Sequence, residues 1–144
     1  MEYRRIGRSG LKVSALSLGG QFHTQKYLSQ QEFESQVFHA LEHGVNLIDL
    51  ADLYGQGEVE AAYGRLFSHY PRHQLVLSSK CFWPLSQGIN HRGLSRKHIV
   101  ESVNQSLKRL NTDYLDLYIC QHFDSKTPLE ETVMALNDLI RHGE

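Results

Sequence analysis

"VNLIDLADLYGQGEVEAAYGRLFSHY", residues 45–70, starts as a short strand and finishes as a helix. "VNLID" is a compact apolar run that ends on a carboxylate, Asp49. From Glu58 the apolar residues Val59, Ala62, Leu66, Phe67 and Tyr70 recur at helical spacing, and Pro71 ends the run. Between them lies a polar turn with two glycines and a tyrosine, Tyr54. A strand, a loop and a helix in this order form one β/α unit. An acid at the end of a buried strand is costly unless something pairs with it.

The same unit recurs on either side. Upstream, "YRRIGRSGLKVS" reads as a hairpin turning at Gly7 and Gly10, and "VSALSLGG" as a strand ending in glycines. "SQQEFESQVFHALEHG" is a helix with a Ser29/Glu32 capping box, an apolar face of Phe33, Val37, Ala40 and Leu41, and a stop at Gly44. Downstream, "QLVLSSK" and "DYLDLYIC" read as strands. "SRKHIVESVNQSLKRLN" reads as a helix capped by Ser95, with Ile99, Val103, Leu107 and Leu110 on one face. "TPLEETVMALNDLIRHGE" is a further helix, with Thr127 placed to cap it, Pro128 in its first turn and Glu130 in the box. Strand and helix alternate four times with no linker-like break, which predicts one α/β domain over 1–144 built on a parallel sheet. Two architectures meet this pattern: four units of a (β/α)8 TIM barrel, that is, a half barrel behind an N-terminal hairpin, or a complete small open sheet of the flavodoxin type. Periodicity leaves both open. "IRHGE" closes the fourth helix as "LEHG" closes the first, so a fifth strand is due where the sequence stops.

Composition narrows the function. Of 144 residues, 40% are hydrophobic and 22% charged, and the net charge is −1, which gives no electrostatic footprint for nucleic acid or an anionic membrane. No apolar stretch approaches a membrane span, and the start, "MEYRRIGRSG", lacks a signal peptide's apolar core. Cys81 and Cys120 lie far apart, as suits reduced thiols in a cytoplasm. The nine histidines are scattered and predict no metal site.

Each strand ends in chemically useful residues: Gly19-Gly20, Asp49, Lys80, and the neighbourhood of Gln121-His122. In parallel α/β folds these ends share one face, where active sites gather. Lys80 is the best partner for Asp49, either as a structural ion pair or as part of a catalytic group. A phenol is a weak acid at neutral pH, and a nearby ammonium eases its ionisation. Asp49, Lys80 and Tyr54 together make a plausible general acid. The plainer reading of Tyr54 alone is a loop tyrosine packed on the sheet.

Several spaced motifs in order then resemble the aldo-keto reductase family over essentially the whole chain. These are "YRRIGRSGLKVSALSLGG", "GVNLIDLADLYGQGEVEAAYG", the "SSK" ending at Lys80, "GLSRKHIVESVNQSLKRLNTDYLDLY" and "TPLEETVMALNDL". The last two look nearest to the branch of potassium-channel β subunits and their bacterial relatives. The resemblance implies a (β/α)8 barrel and NADPH-dependent reduction of small-molecule aldehydes and ketones. Asp49, Tyr54 and Lys80 match the catalytic acid, tyrosine and lysine. Gly20, Gln21, Asp49 and Gln121 fall near the nicotinamide of the cofactor, and Trp83 on the substrate wall. The family has no glycine-rich dinucleotide fingerprint, and neither does this chain.

Two departures bear on function. The family's fourth catalytic residue is usually histidine. Its spacing from Asp116 and Asp124 lands on Gln121, with His122 one place late and on the other strand face. An amide can donate a hydrogen bond but cannot titrate. The second departure is length: the later strands, which carry most cofactor contacts in the family, have no counterpart here. The expectation is a truncated half with little or no turnover alone. The alternatives are a channel-β-like regulatory subunit, or a half barrel that self-associates or takes a complementing half through its open sheet edges.

Overall fold

The structure, a computed structural model, describes residues 1–20 and 29–143. Gln21 lies outside the described residues. The chain opens with an antiparallel hairpin, β1 (Tyr3–Arg5) and β2 (Lys12–Ser14), in which Tyr3 faces Ser14. It turns through Gly7, whose φ of 54° suits a residue without a side chain. The expected strand "VSALSLGG" divides in two. Its first residues finish the hairpin, and only β3 (Ser17–Gly19) enters the main sheet.

β3 is followed by α1 (Gln30–Glu42), β4 (Leu47–Asp49), α2 (Glu58–Leu66), β5 (Val76–Cys81), α3 (Arg96–Leu110), β6 (Leu117–Cys120) and α4 (Leu129–His142). The four strands form one parallel sheet in the order β3-β4-β5-β6. Sequential order with helical crossovers is the pattern of a barrel, whereas a doubly wound sheet reverses direction at a switch point. The chain is thus a partial (β/α)8 barrel rather than an open flavodoxin-like sheet.

Side chains alternate between the sheet's two faces. Ile48, Leu50 and Leu77 point to the helices and join Phe33, Val37, Val59, Tyr63 and Leu110 in one core cluster. A second cluster joins Cys81 and Phe82 to Ile99 and Val103 of α3 and to Ala135 and Leu139 of α4. The other face carries Asp49, Ser78 and Lys80. The register sets Asp49 beside Ser78, and Lys80 beside Ile119.

Local signals explain most elements. Ser29 and Glu32 form the capping box of α1, and Ser95 accepts the His98 amide at the start of α3. α3 ends on Asn111 in the left-handed conformation, with φ 52°. α4 differs from expectation. The residue before the helix is Pro128, without a side-chain cap, while the Thr127 hydroxyl donates to Asp124 at 2.8 Å. Asp124 also accepts the amides of Leu94 and Lys126. These bonds hold its carboxyl below the usual carboxylate range. The Asp124 side chain fixes the whole turn, so Thr127 serves the loop instead of the helix.

The floor of the sheet is fastened by Arg72. Its guanidinium donates to the carbonyls of Leu75 and Tyr114, the Thr112 hydroxyl and the Asp116 carboxylate, all at 2.7–3.0 Å, and lies 3.8 Å over the Tyr114 ring. The same Asp116 oxygen accepts the Leu77 amide at 2.9 Å. A side chain thereby extends the β5–β6 ladder past its first backbone pair.

Candidate active site

At the opposite, C-terminal end of the strands, Asp49, Lys80 and Tyr54 come together. The Lys80 Nζ lies 2.9 Å from Asp49 Oδ1, 2.7 Å from the Leu50 carbonyl and 3.4 Å from the Tyr54 hydroxyl. An ammonium has three protons, and here three oxygens meet them. Lys80 is only 9% exposed, so the paired carboxylate is what makes its burial tolerable. Ser78, two residues earlier on the same strand face, donates to the same Asp49 oxygen at 2.7 Å.

The backbone sets this geometry. Leu50 and Asp52 continue the parallel ladder beyond β4, with their amides on the carbonyls of Ser78 (3.1 Å) and Lys80 (3.3 Å). A turn closed by the Tyr54 amide on the Ala51 carbonyl, 3.1 Å, then aims the phenol back at Lys80. Gly55, Gln56 and Gly57 all have positive φ, which reverses the chain into α2. Glycine is needed at 57, where a Cβ would lie 2.8 Å from the Arg109 side chain. Gly20 is buried, and its amide donates to the Asp49 carbonyl at 3.1 Å. A Cβ there would fall 2.7 Å from Leu50, 2.9 Å from Val59 and 3.4 Å from the Tyr54 ring. The space beside Gly20 is filled by the loop that carries Tyr54.

The remaining candidates stand apart from this trio. Gln121 follows β6, and its amide donates to the Cys81 carbonyl at 3.1 Å. Alternation from Ile119 puts it on the face that carries Lys80. Its side-chain carbonyl is buried and has no hydrogen-bond partner among the described residues. His122 is exposed. Its ring lies 4.8 Å from Phe82 and 5.7 Å from Trp83, and its Nδ1 meets the Phe123 carbonyl at 2.7 Å. Trp83 packs edge-on against Phe82 under the Arg92 guanidinium, 5.2 Å from its ring centre.

Behind the site, between sheet and helices, lies a group of buried acids. Glu60 is 0% exposed; it accepts the Ser79 hydroxyl at 2.6 Å and the Arg109 Nε at 2.7 Å. Asp52 is also 0% exposed, yet neither carboxylate oxygen has a well-formed hydrogen bond among the described residues, the Leu53 amide giving only a weak one. Burial, and then the nearby Glu60 charge, push the Asp52 carboxyl up to about 7. Among the described residues no cluster could hold a metal ion.

Sequence reasoning passed over Ser78 and Asp52. Ser78 was findable, since a residue two before Lys80 must share its strand face. Asp52 carried a weaker signal, an acid inside the otherwise apolar "LADLY". The Glu60–Arg109 pair spans 49 positions and leaves no local trace.

An acid, an amine and a phenol at the C-terminal rim of parallel strands define a barrel-type α/β protein with a candidate acid–base site. The aldo/keto reductase family model matches residues 15–144, and the chain belongs to that family. It is 43% identical to proteins of Arabidopsis thaliana and of Oryza sativa subsp. japonica, each named "Probable voltage-gated potassium channel subunit beta". Each of those alignments covers 99% of this chain and 44% of the relative. Among solved structures it is similar to the aldo-keto reductase AKR11C1 from Bacillus halodurans (holo form). That match has a TM-score of 0.88 and 32% identity over 99% of this chain and 47% of the other. The chain thus spans less than half the length of the relatives it matches.

Proposed function

We propose that these residues form the acid–base side of an NADPH-dependent reductase of aldehydes and ketones, within one partial barrel domain over 1–144. The observation that carries this is the triple engagement of Lys80 by Asp49, the Leu50 carbonyl and the Tyr54 hydroxyl. The described residues suit the nicotinamide end of the cofactor. The buried, unpartnered Gln121 carbonyl calls for an N–H donor such as a carboxamide, on the face shared with Asp49 and Lys80. Gly20 serves this site indirectly, by leaving room for the Leu50 and Val59 side chains that flank the Tyr54 turn. Gln21 is proposed beside the ring from the family resemblance. NADPH, when bound, supplies hydride to the substrate's carbonyl carbon.

Tyr54 then gives its hydroxyl proton to the carbonyl oxygen. The Lys80 ammonium faces the phenol oxygen and stabilises the charge left on it, as preorganised charge does at low exposure. Asp49, held by Ser78, fixes the ammonium. Gln121 donates its amide N–H to the same carbonyl oxygen, and Trp83 walls the substrate. This reading takes the site to work in a cytoplasm, where both free cysteines stay reduced.

The 144 residues alone are expected to turn over little. Supplied with the missing half of an aldo-keto reductase barrel, they should oxidise NADPH in the presence of an aldehyde. Tyr54→Phe should lower that rate by at least 100-fold, the scale of a lost general acid. An unchanged rate would refute the assignment. The names of the two plant relatives favour a second reading, a channel-β-like regulatory subunit. In that case the completed barrel would bind NADPH and leave the aldehyde unreduced.

A further inference from the structure

Asp52 is a buried acid that nothing in the acid–base mechanism uses. It sits at the corner of the turn that the Tyr54 amide closes on the Ala51 carbonyl, two residues before the phenol. Its own amide is tied to the Lys80 carbonyl at 3.3 Å. Its side chain is 0% exposed, neither carboxyl oxygen has a well-formed hydrogen bond among the described residues, and only the neighbouring Leu53 amide and the Arg109 charge act to hold the carboxyl down.

The groups that face it explain this. From α2 comes Glu60, also fully buried. From α3 comes Arg109, whose Nε is committed to Glu60 at 2.7 Å and whose other end reaches the Ser106 hydroxyl at 3.3 Å. From β5 and β6 come Cys81 and Tyr118. Burial raises both above their usual range, so each keeps its proton. The local ledger is one cation against two acids. With Asp52 ionised, the pocket would hold an uncompensated charge away from water, which proteins avoid by keeping the proton. The upward shift of the Asp52 carboxyl has the same two causes, burial first and Glu60 second.

We propose that Asp52 is a proton-carrying positioning residue: as a neutral acid it allows the turn 51–54 to pack behind the sheet, and that packing seats the Tyr54 hydroxyl against Lys80. Loss of the proton draws the carboxylate toward water, opens the turn and lengthens the 3.4 Å contact between Lys80 and Tyr54. The seating of Tyr54 is thereby coupled to pH through a group that never touches substrate. The consequence for catalysis rests on the assignment of Tyr54 as the acid; the proton on Asp52 does not.

The test uses the 144-residue chain itself and needs no turnover. Infrared difference spectra at pH 6 and pH 8.5, with 13C-labelled aspartate, should show a protonated-carboxyl band at pH 6 that weakens at pH 8.5. The band should be missing from Asp52→Asn. In parallel, the Tyr54 ring 13Cζ resonance should move with pH through a midpoint near neutrality in the wild type and stay fixed in Asp52→Asn. Glu60→Gln, which removes the neighbouring charge and frees Arg109, should lower the midpoint by roughly one pH unit. It also keeps the test alive if Asp52→Asn does not fold. Absence of the protonated band at pH 6, or a Tyr54 resonance that ignores pH in the wild type, overturns the proposal. So does a resonance that moves alike in wild type and Asp52→Asn, or a midpoint unmoved by Glu60→Gln. Reductase activity of the completed barrel with and without Tyr54→Phe is read separately, so the catalytic assignment and the role of Asp52 can fail independently.

Discussion

At the scale of single residues, the site rests on a few polar atoms placed where water is scarce. Gln121 is the residue whose chemistry departs most from the family pattern. In a completed barrel, Gln121→His should raise carbonyl reduction, measured as aldehyde-dependent NADPH oxidation, because imidazole can carry a proton and an amide cannot. A drop, together with a loss on His122→Ala, would mean that His122 is the working neighbour. Asp52 makes a thermodynamic prediction besides its structural one. The folded chain keeps the Asp52 proton up to about pH 7, while an ordinary carboxyl near 3.8 has already released it. Folding therefore takes up a proton across that window, and stability must fall as pH rises from about 4 to 7 and then level off. The drop is on the order of 4 kcal/mol, from about 1.4 kcal/mol per pH unit. Urea titrations at several pH values should show this slope in the wild type, and Asp52→Asn should remove that component of it. Asp49 and Lys80 could be read from the sequence because each stands at the C-terminal end of a strand; Tyr54, in the loop after β4, drew its meaning from their chemistry and from the family resemblance. Asp52 could not, because its burial depends on two helices whose packing no local pattern states.

Among the elements, α2 shows where periodicity runs out. The spacing marked Val59, Ala62, Leu66, Phe67 and Tyr70 as its inner face. In the structure Val59, Glu60, Tyr63 and Gly64 are the buried positions of the helix and Phe67, just past its end, is buried as expected, with Ala62, Leu66 and Tyr70 only partly covered. The face is turned because α2 must meet α3 as well as the sheet. Gly64 is the contact point: a Cβ there would lie 2.9 Å from the Leu110 Cα and still closer to the Arg109 carbonyl. Backbone cannot yield as a side chain can, so Gly64→Ala should destabilise the chain by about 1–3 kcal/mol. Gly10→Ala, with nothing within 4 Å of the new methyl, should leave stability nearly unchanged. Chemical denaturation of the two variants side by side measures the difference. β6 also differs from expectation. A strand of a parallel sheet is usually covered on both faces, yet in β6 Ile119 is exposed and its neighbours are only partly covered.

On the scale of the whole molecule, the apolar surface is concentrated around β6 and α4. Leu129, Val133, Met134 and Ile140 are all exposed on α4, with Ile140 at 75%. A groove of about 240 Å³ runs between Leu115, Leu117, Tyr118, Leu136, Leu139 and Ile140. Exposed apolar side chains of this kind suit a docking face, and edge strands β3 and β6 have no outer partner among the described residues. The chain should therefore associate, with itself or with a complementing barrel half. Sedimentation velocity should show a sedimentation coefficient that rises with concentration, and Val133→Lys combined with Ile140→Lys should bring it back to the monomer value. Among the described residues no helix is long and apolar enough to cross a membrane.

The Arg72 fastening has an implication of its own. It joins residues 72, 75, 77, 112, 114 and 116 at the pole of the sheet farthest from Tyr54 and Lys80. Strand alignment is thus secured at one pole, and the proposed chemistry lies at the other. A change in the rim loops therefore need not disturb the clasp that keeps the strands in step, because none of its bonds reaches the rim.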